Sequence, residues 1–280
     1  MALALPPFHI WPMLVPGLTA LVWLIDGSRP HEGVRPLLIS RRAGWSAFVV
    51  GWWYGNGFFM AGLYWISFSF LVDAAVFGWM IPLALFGLSA AMAVYIGLGS
   101  WLTFISAPPG LRRVFLVAVW WALFEWLRGW AFTGFPWNPV GNVWVVVDPV
   151  LQGASWVGVH GLSLVTVFAA AAGAIVADHH FMRYRYTLAA SGLAVLIIFA
   201  IAGFVRLDSD AEALGGSPII RLVQPNIAQQ DKWRPELVST NFRRQLQLSR
   251  STGAKRPLFI IWPETAVSLD FLAKTRAKAL

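Results

Sequence analysis

The chain has 280 residues, 58% of them hydrophobic and only 12% charged, with seventeen Trp and a mean hydropathy of +0.64. An ordinary soluble domain carries roughly twice that charged fraction, so the composition describes an integral membrane protein. The formal charge of +8 does not point to nucleic acid, because the basic residues sit in short loops between apolar spans. The absence of cysteine excludes disulfides, thiolate metal sites and a thiol nucleophile within these residues.

In chain order, residues 1–206 read as a membrane domain, 207–217 as a linker and 218–280 as the first part of an outward-facing α/β module. Residues 1–7 lack the basic start of a cleavable signal peptide. Six apolar spans follow, over 8–25, 44–70, 79–105, 114–130, 155–177 and 187–205. Each is near the roughly 20 residues needed to cross a bilayer. Arg29, Arg35, Arg41 and Arg42 occupy the first loop, Arg112 and Arg113 the third, Arg183 and Arg185 the fifth. The second loop, around Asp73, and the long fourth, 131–154, have no Lys or Arg. The positive-inside rule makes the odd loops cytoplasmic and puts everything after residue 205 outside. The N-terminus then also lies outside, which leads us to expect one more helix upstream, with Met1 an internal start.

Glu125 and Arg128 are the ionisable exceptions in the spans, at i and i+3 near the outer end of the fourth. The spacing suits a structural ion pair as well as a functional one. Gly51 and Gly55 have the spacing of close helix packing. His179 and His180 read as solvated loop residues, and no metal site is expected. Thr133-Gly134-Phe135-Pro136-Trp137-Asn138-Pro139 is too rich in Gly, Pro and aromatics for a plain connector. Trp137 suits either an interface anchor or a loop reaching toward the outer module.

Beyond the acidic, small-residue linker, 219–223 predicts a strand closed by Gln224-Pro225-Asn226. A helix follows over 235–250, with Pro235 in its first turn and Val238, Phe242 and Leu246 on one face. Residues 258–261, all large and apolar, predict a fully buried strand that must end at Pro263. Glu264 is the first ionisable group past that strand's C-terminal edge, where α/β sheets place their chemistry, and suits a general base. Strand, helix and strand begin a parallel α/β layer. About sixty residues are too few to close such a module, so loose packing and exposed strand edges are expected.

Three segments together resemble the apolipoprotein N-acyltransferases. They are Phe124-Glu125-Trp126-Leu127-Arg128-Gly129-Trp130 running into Thr133-Gly134-Phe135-Pro136-Trp137, Val223-Gln224-Pro225-Asn226-Ile227 followed by Lys232-Trp233, and Ile261-Trp262-Pro263-Glu264. Phe8-His9-Ile10-Trp11-Pro12 is similar to the opening of that family's second membrane helix. The last of the three segments alone would also suit a soluble nitrilase-like amidase. The resemblance implies a multi-pass α-helical membrane domain of eight helices, our six spans being the second to seventh. It also implies a nitrilase-like αββα sandwich on the periplasmic side of the bacterial inner membrane, inserted before the last helix. The implied protein is a monomer, without a cofactor, acting on a phospholipid acyl donor and a diacylglyceryl apolipoprotein acceptor.

The implied chemistry is acyl transfer through a thioester, with a Glu base, a Lys at the oxyanion and a Cys nucleophile. Glu264 matches the base, Trp233 an aromatic of substrate handling and Trp137 an outer-loop Trp facing acyl chains. The family's Lys and Cys belong to later strands; Lys274 and Lys278 are in the wrong segment to replace the Lys, and no Cys is present. The 280-residue chain by itself is therefore expected to be inactive. The alternative is a non-catalytic membrane protein, a scaffold that binds lipid or lipoprotein. A transporter is disfavoured, because neither charged mid-membrane groups nor repeats are evident.

Overall fold

The computed structural model describes residues 1–28, 36–177, 183–208, 218–228, 231–232, 234–251 and 257–263. The chain divides into two compact units, residues 1–209 and 210–280, each described by itself. His179 and His180 lie outside the described residues.

In the first unit, helices occupy the predicted spans: α1 (Leu14–Gly27), α2 (Pro36–Gly62), α3 (Ile81–Ser106), α4 (Leu111–Arg128), α5 (Ala154–Ala171) and α6 (Arg185–Asp208). Among the described residues three stretches are long and apolar enough to cross a membrane, Tyr64–Ser106, Ala154–Val176 and Arg185–Leu207, and Trp11–Gly27 is a shorter apolar helix. The first stretch, at 43 residues, would reach about 65 Å as one straight helix, roughly twice the hydrocarbon thickness. The chain avoids this by breaking residues 64–80 into short 3-10 and α turns before α3 begins.

The boundaries differ from expectation for local reasons. Residues 8–13 do not join α1: His9 stands at φ 55° and Ile10 at φ −83° and ψ 66°, Pro12 has no N–H to bond back to Phe8, and a 3-10 turn, Trp11–Met13, leads in instead. The second span was expected to reach residue 70, but α2 stops at Gly62, with Leu63 at φ −112° and ψ 11°. Gly158 (φ 67°, ψ 175°) kinks α5, which continues as a 3-10 turn over Ala172–Ala177.

Leu18, Leu21, Val22 and Ile25 of α1 are buried with Val114, Val117 and Trp121 of α4 and Leu162, Val167 and Ala171 of α5. Gly51 and Gly55 let α2 touch α3 as the spacing predicts: a Cβ at Gly51 would stand 2.2 Å from Ser100 Oγ. Leu193, Ile198, Ile201, Phe204 and Val205 of α6 stay exposed, an apolar face suited to lipid.

Arg113 differs from its reading as a loop charge, because it is fully buried. Its Nη1 pairs with Asp26 Oδ1, and its Nε donates to the Ala107 carbonyl at 3.1 Å. It thus ties the end of α1 to the turn before α4, and a buried cation needs such partners.

In the second unit, β1 (Ile220–Leu222) pairs in parallel with β2 (Phe259–Ile261), in the register Ile220↔Phe259 and Leu222↔Ile261. Between them runs α7 (Val238–Arg250), preceded by a turn at 235–237. Trp262 stacks edge-on against Phe242 at 5.9 Å and donates its Nε1–H to Ser249 Oγ at 2.8 Å. The expectation of a fully buried strand over 258–261 is corrected: Leu258, Phe259, Ile260 and Ile261 are all exposed. A parallel sheet normally needs cover on both faces, and the two strands and one helix among the described residues of this unit supply too little apolar surface for that.

Candidate functional site

The most elaborate polar construction among the described residues of the first unit joins the C-terminal end of α4 to the loop that follows it. Glu125 and Arg128, both buried, form no direct ion pair with each other among the described residues. Each holds a different part of the loop.

Glu125 Oε1 accepts two hydrogen bonds, from Trp121 Nε1–H and from the Val140 backbone N–H, both at 2.8 Å. Val140 opens a 3-10 segment, Val140–Val146, that packs onto α5. There the Gly141 N–H donates to Ser163 Oγ at 2.8 Å, and Trp144 Nε1–H donates to Thr166 Oγ1 at 2.7 Å. His160, one helical turn from Ser163, places Nδ1 4.0 Å from Glu125 Oε2. Glu125 therefore sits where α4, α5 and the returning loop meet.

Arg128 serves the front of the loop. Its Nη1 donates to the carbonyls of Phe135 at 2.8 Å and Trp137 at 2.6 Å. The Phe135 N–H donates back to the Arg128 carbonyl at 2.7 Å. The guanidinium lies over the Phe59 ring of α2, 5.1 Å from its centroid. The sharp reversal this needs falls at Gly134 (φ 85°, ψ 137°), where a Cβ would approach the Gly129 carbonyl oxygen to 2.3 Å. Only glycine takes that conformation without strain.

The held segment displays Trp137, whose side chain is half-exposed. Its ring lies 5.4 Å from Phe135 and 6.4 Å from Trp65, which belongs to the first turn after α2. Leu5, Pro6, Trp65, Trp137, Asn138 and Asn142 line an open groove without a charged side chain. A separate narrow crevice, bounded by Tyr95, Trp121, Glu125 and Arg128, has room for little more than a water molecule.

Of the residues singled out from sequence, Trp137 is placed at this groove, while Trp233 and Glu264 lie outside the described residues. His160, Ser163, Phe59 and Trp65 were missed. His160 carried a signal, as a lone imidazole in an otherwise apolar span; the other three did not differ from ordinary helix residues. No group of three or more His, Asp or Glu side chains able to hold a metal occurs among the described residues.

Residues 1–172 match the apolipoprotein N-acyltransferase N-terminal domain family. Over 274 residues the chain is 36% identical to an apolipoprotein N-acyltransferase of Rhodopseudomonas palustris, covering 95% of this chain and 49% of that protein. It is 37% identical over 276 residues to the Rhizobium rhizogenes protein of the same name, covering 95% of this chain and 50% of the other. The Brucella suis counterpart is 37% identical over 269 residues, covering 94% and 49% respectively. The chain thus spans about half the length of the curated relatives it matches.

Proposed function

Because this chain belongs to the apolipoprotein N-acyltransferase family, we propose that it serves the last step of lipoprotein maturation. In that step an acyl chain passes from a phospholipid to the N-terminal α-amine of a diacylglyceryl-cysteine. The observation that carries the reading is the match over nearly the whole chain to proteins of that name. The uncharged groove beside Trp137 supports it, since an enzyme working on membrane lipids needs an apolar surface for their chains.

In the proposed chemistry Glu264 takes the proton of a cysteine thiol, and the thiolate attacks the phospholipid ester carbonyl. A lysine stabilises the resulting oxyanion, and the lysophospholipid alkoxide leaves with the proton. The α-amine then attacks the thioester, gives its proton to Glu264, and the thiol is regenerated. Trp233 and Trp137 handle the substrate. The cysteine and lysine of this scheme have no counterparts within the 280 residues. All six apolar helices of the first unit cross the bacterial inner membrane, and the α/β module, of the nitrilase-like type, stands on the periplasmic side. The protein acts as a monomer, without a cofactor.

A second reading is a non-catalytic membrane scaffold that binds lipid or lipoprotein, which the uncharged groove beside Trp137 would serve equally. The two separate in an in vitro assay with a diacylated lipoprotein and a phospholipid donor, other acyltransferases being absent. A polypeptide of these 280 residues is expected to bind without turnover. The same residues joined to the C-terminal half of a relative are expected to N-acylate. Turnover by the 280 residues alone would overturn the thioester scheme, and binding without turnover by the fusion would favour the scaffold.

A further inference from the structure

We propose that the solvent side of α7 docks on anionic phospholipid headgroups, with Arg243, Arg244 and Arg250 meeting the lipid phosphates. The inference concerns the second unit alone and does not depend on the acyl-transfer chemistry above.

The helix is two-sided. One side is occupied by the unit's own packing: Phe242 meets the Trp262 ring and Gln245 is buried. On the same side Ser249 accepts the Trp262 indole N–H on its hydroxyl and the Arg221 guanidinium on its carbonyl. At about 3.6 residues per turn, the opposite side carries Arg243, Arg244, Gln247, Leu248 and Arg250, all exposed. Val238–Arg250 contains no Asp or Glu. None of its three arginines forms an ion pair with a described residue. The nearest acids in sequence, Asp231 and Glu236, precede the helix, and Asp231 already faces Arg234 at 3.7 Å. A solvated surface helix normally intersperses charges of both signs. Arg250, in the last turn, also offsets the negative end of the helix dipole. Arg243 and Arg244 are mid-helix and gain nothing from it.

Three features select a lipid surface as the partner. The guanidinium fork matches a phosphate's oxygens. Leu248, 37% exposed, stands among the arginines, an apolar group that a headgroup layer can take in and a dissolved anion cannot. The unit is also tethered: Ile220 lies twelve positions after Asp208, the last residue of the apolar α6, a reach of about 40 Å at full stretch. A tether of that kind supplies a local concentration on the order of millimolar, so a few exposed charges suffice to hold the helix on the surface.

The test uses the whole chain in nanodiscs. The chain has no cysteine, so Gln247→Cys places a single bimane fluorophore amid the arginines. The discs are phosphatidylcholine alone, or phosphatidylcholine mixed with phosphatidylglycerol. Both are doped with phosphatidylcholine bearing a nitroxide on its headgroup, which quenches only at contact. Quenching is expected in the anionic discs and not in the zwitterionic ones, and raised salt should abolish it. Arg243→Gln, Arg244→Gln and Arg250→Gln together should lower the docked-to-undocked ratio roughly 100-fold, at roughly 5-fold for each arginine near an anionic surface. Lys at the same three positions should keep most of the quenching, because an ammonium also binds phosphate as a point charge. No quenching in anionic discs, equal quenching in both kinds, or full quenching in the triple Gln variant would each overturn the proposal. If that variant fails to fold, the salt titration of the labelled chain with its arginines intact decides: quenching lost at raised salt supports the docking, and salt-insensitive quenching overturns it.

Discussion

Replacing Glu125 by Ala tests most sharply whether the loop after α4 is held from that helix. The change removes the acceptor of two buried donors, Trp121 Nε1–H and the Val140 N–H. A buried donor left without a partner costs about 1–3 kcal/mol, so the pair costs about 2–6 kcal/mol. Glu125→Gln keeps an oxygen in place and loses only charge assistance, about 1 kcal/mol. The readout is hydrogen exchange at the Val140 amide, which is fully buried in the wild type. Even the lower figure accelerates exchange roughly 30-fold, at about 1.4 kcal/mol per factor of ten. Amides at the α2–α3 contact, such as that of Ile96, should keep their protection. Equal Val140 exchange in Glu125→Ala and the wild type, or equal damage from Gln and Ala, would refute the reasoning.

Other expectations follow from the same packing. Gly134→Ala should loosen the Trp137 loop by roughly 1–3 kcal/mol, from backbone strain at φ 85° and the close Gly129 carbonyl; faster exchange at the Phe135 amide would show it. Gly51→Val should separate α2 from α3, because its Cβ would already collide with Ser100 Oγ, at a cost of about 1–3 kcal/mol. Denaturant titration in detergent reads that cost, and Ser100→Gly in the same chain should recover part of it. Arg113→Met should cost about 1–3 kcal/mol by removing the buried donor to the Asp26 carboxylate and the Ala107 carbonyl, with a smaller loss in Arg113→Met combined with Asp26→Leu; equal losses in the two would argue against the pair.

The long apolar helices were legible because their signal is additive: twenty apolar residues in a row declare themselves whatever surrounds them. Their ends were less so. That residue 62, where α2 ends, is a glycine owes much to Asn138, whose Nδ2 would lie 2.5 Å from a Cβ there, a contact 76 positions away that no local pattern encodes. The strand–helix–strand order of the second unit was readable from its periodicity, while the exposure of β2 was not, because burial depends on what covers a strand. Glu125 and Arg128 were noticed for their charge, and i, i+3 spacing suggested that they satisfy each other. Apart from the Trp121 indole, their hydrogen-bond partners are backbone groups of a loop 7 to 15 residues on, and backbone groups look the same at every position of a sequence. Phe59 and Trp65 were invisible for a related reason: an aromatic in an apolar span is unremarkable until its neighbour is known.

The central proposal, that Glu264 is the base of an acyl transfer, is tested most directly by mass spectrometry of a lipoprotein N-terminal peptide. The enzyme for this is the chain joined to the C-terminal half of a relative, with phospholipid as donor. The peptide should gain one acyl chain with Glu264 present. Glu264→Gln, shown to be folded and inserted, should slow that gain by at least about 100-fold. Acylation at the same rate in Glu264→Gln would contradict the assignment.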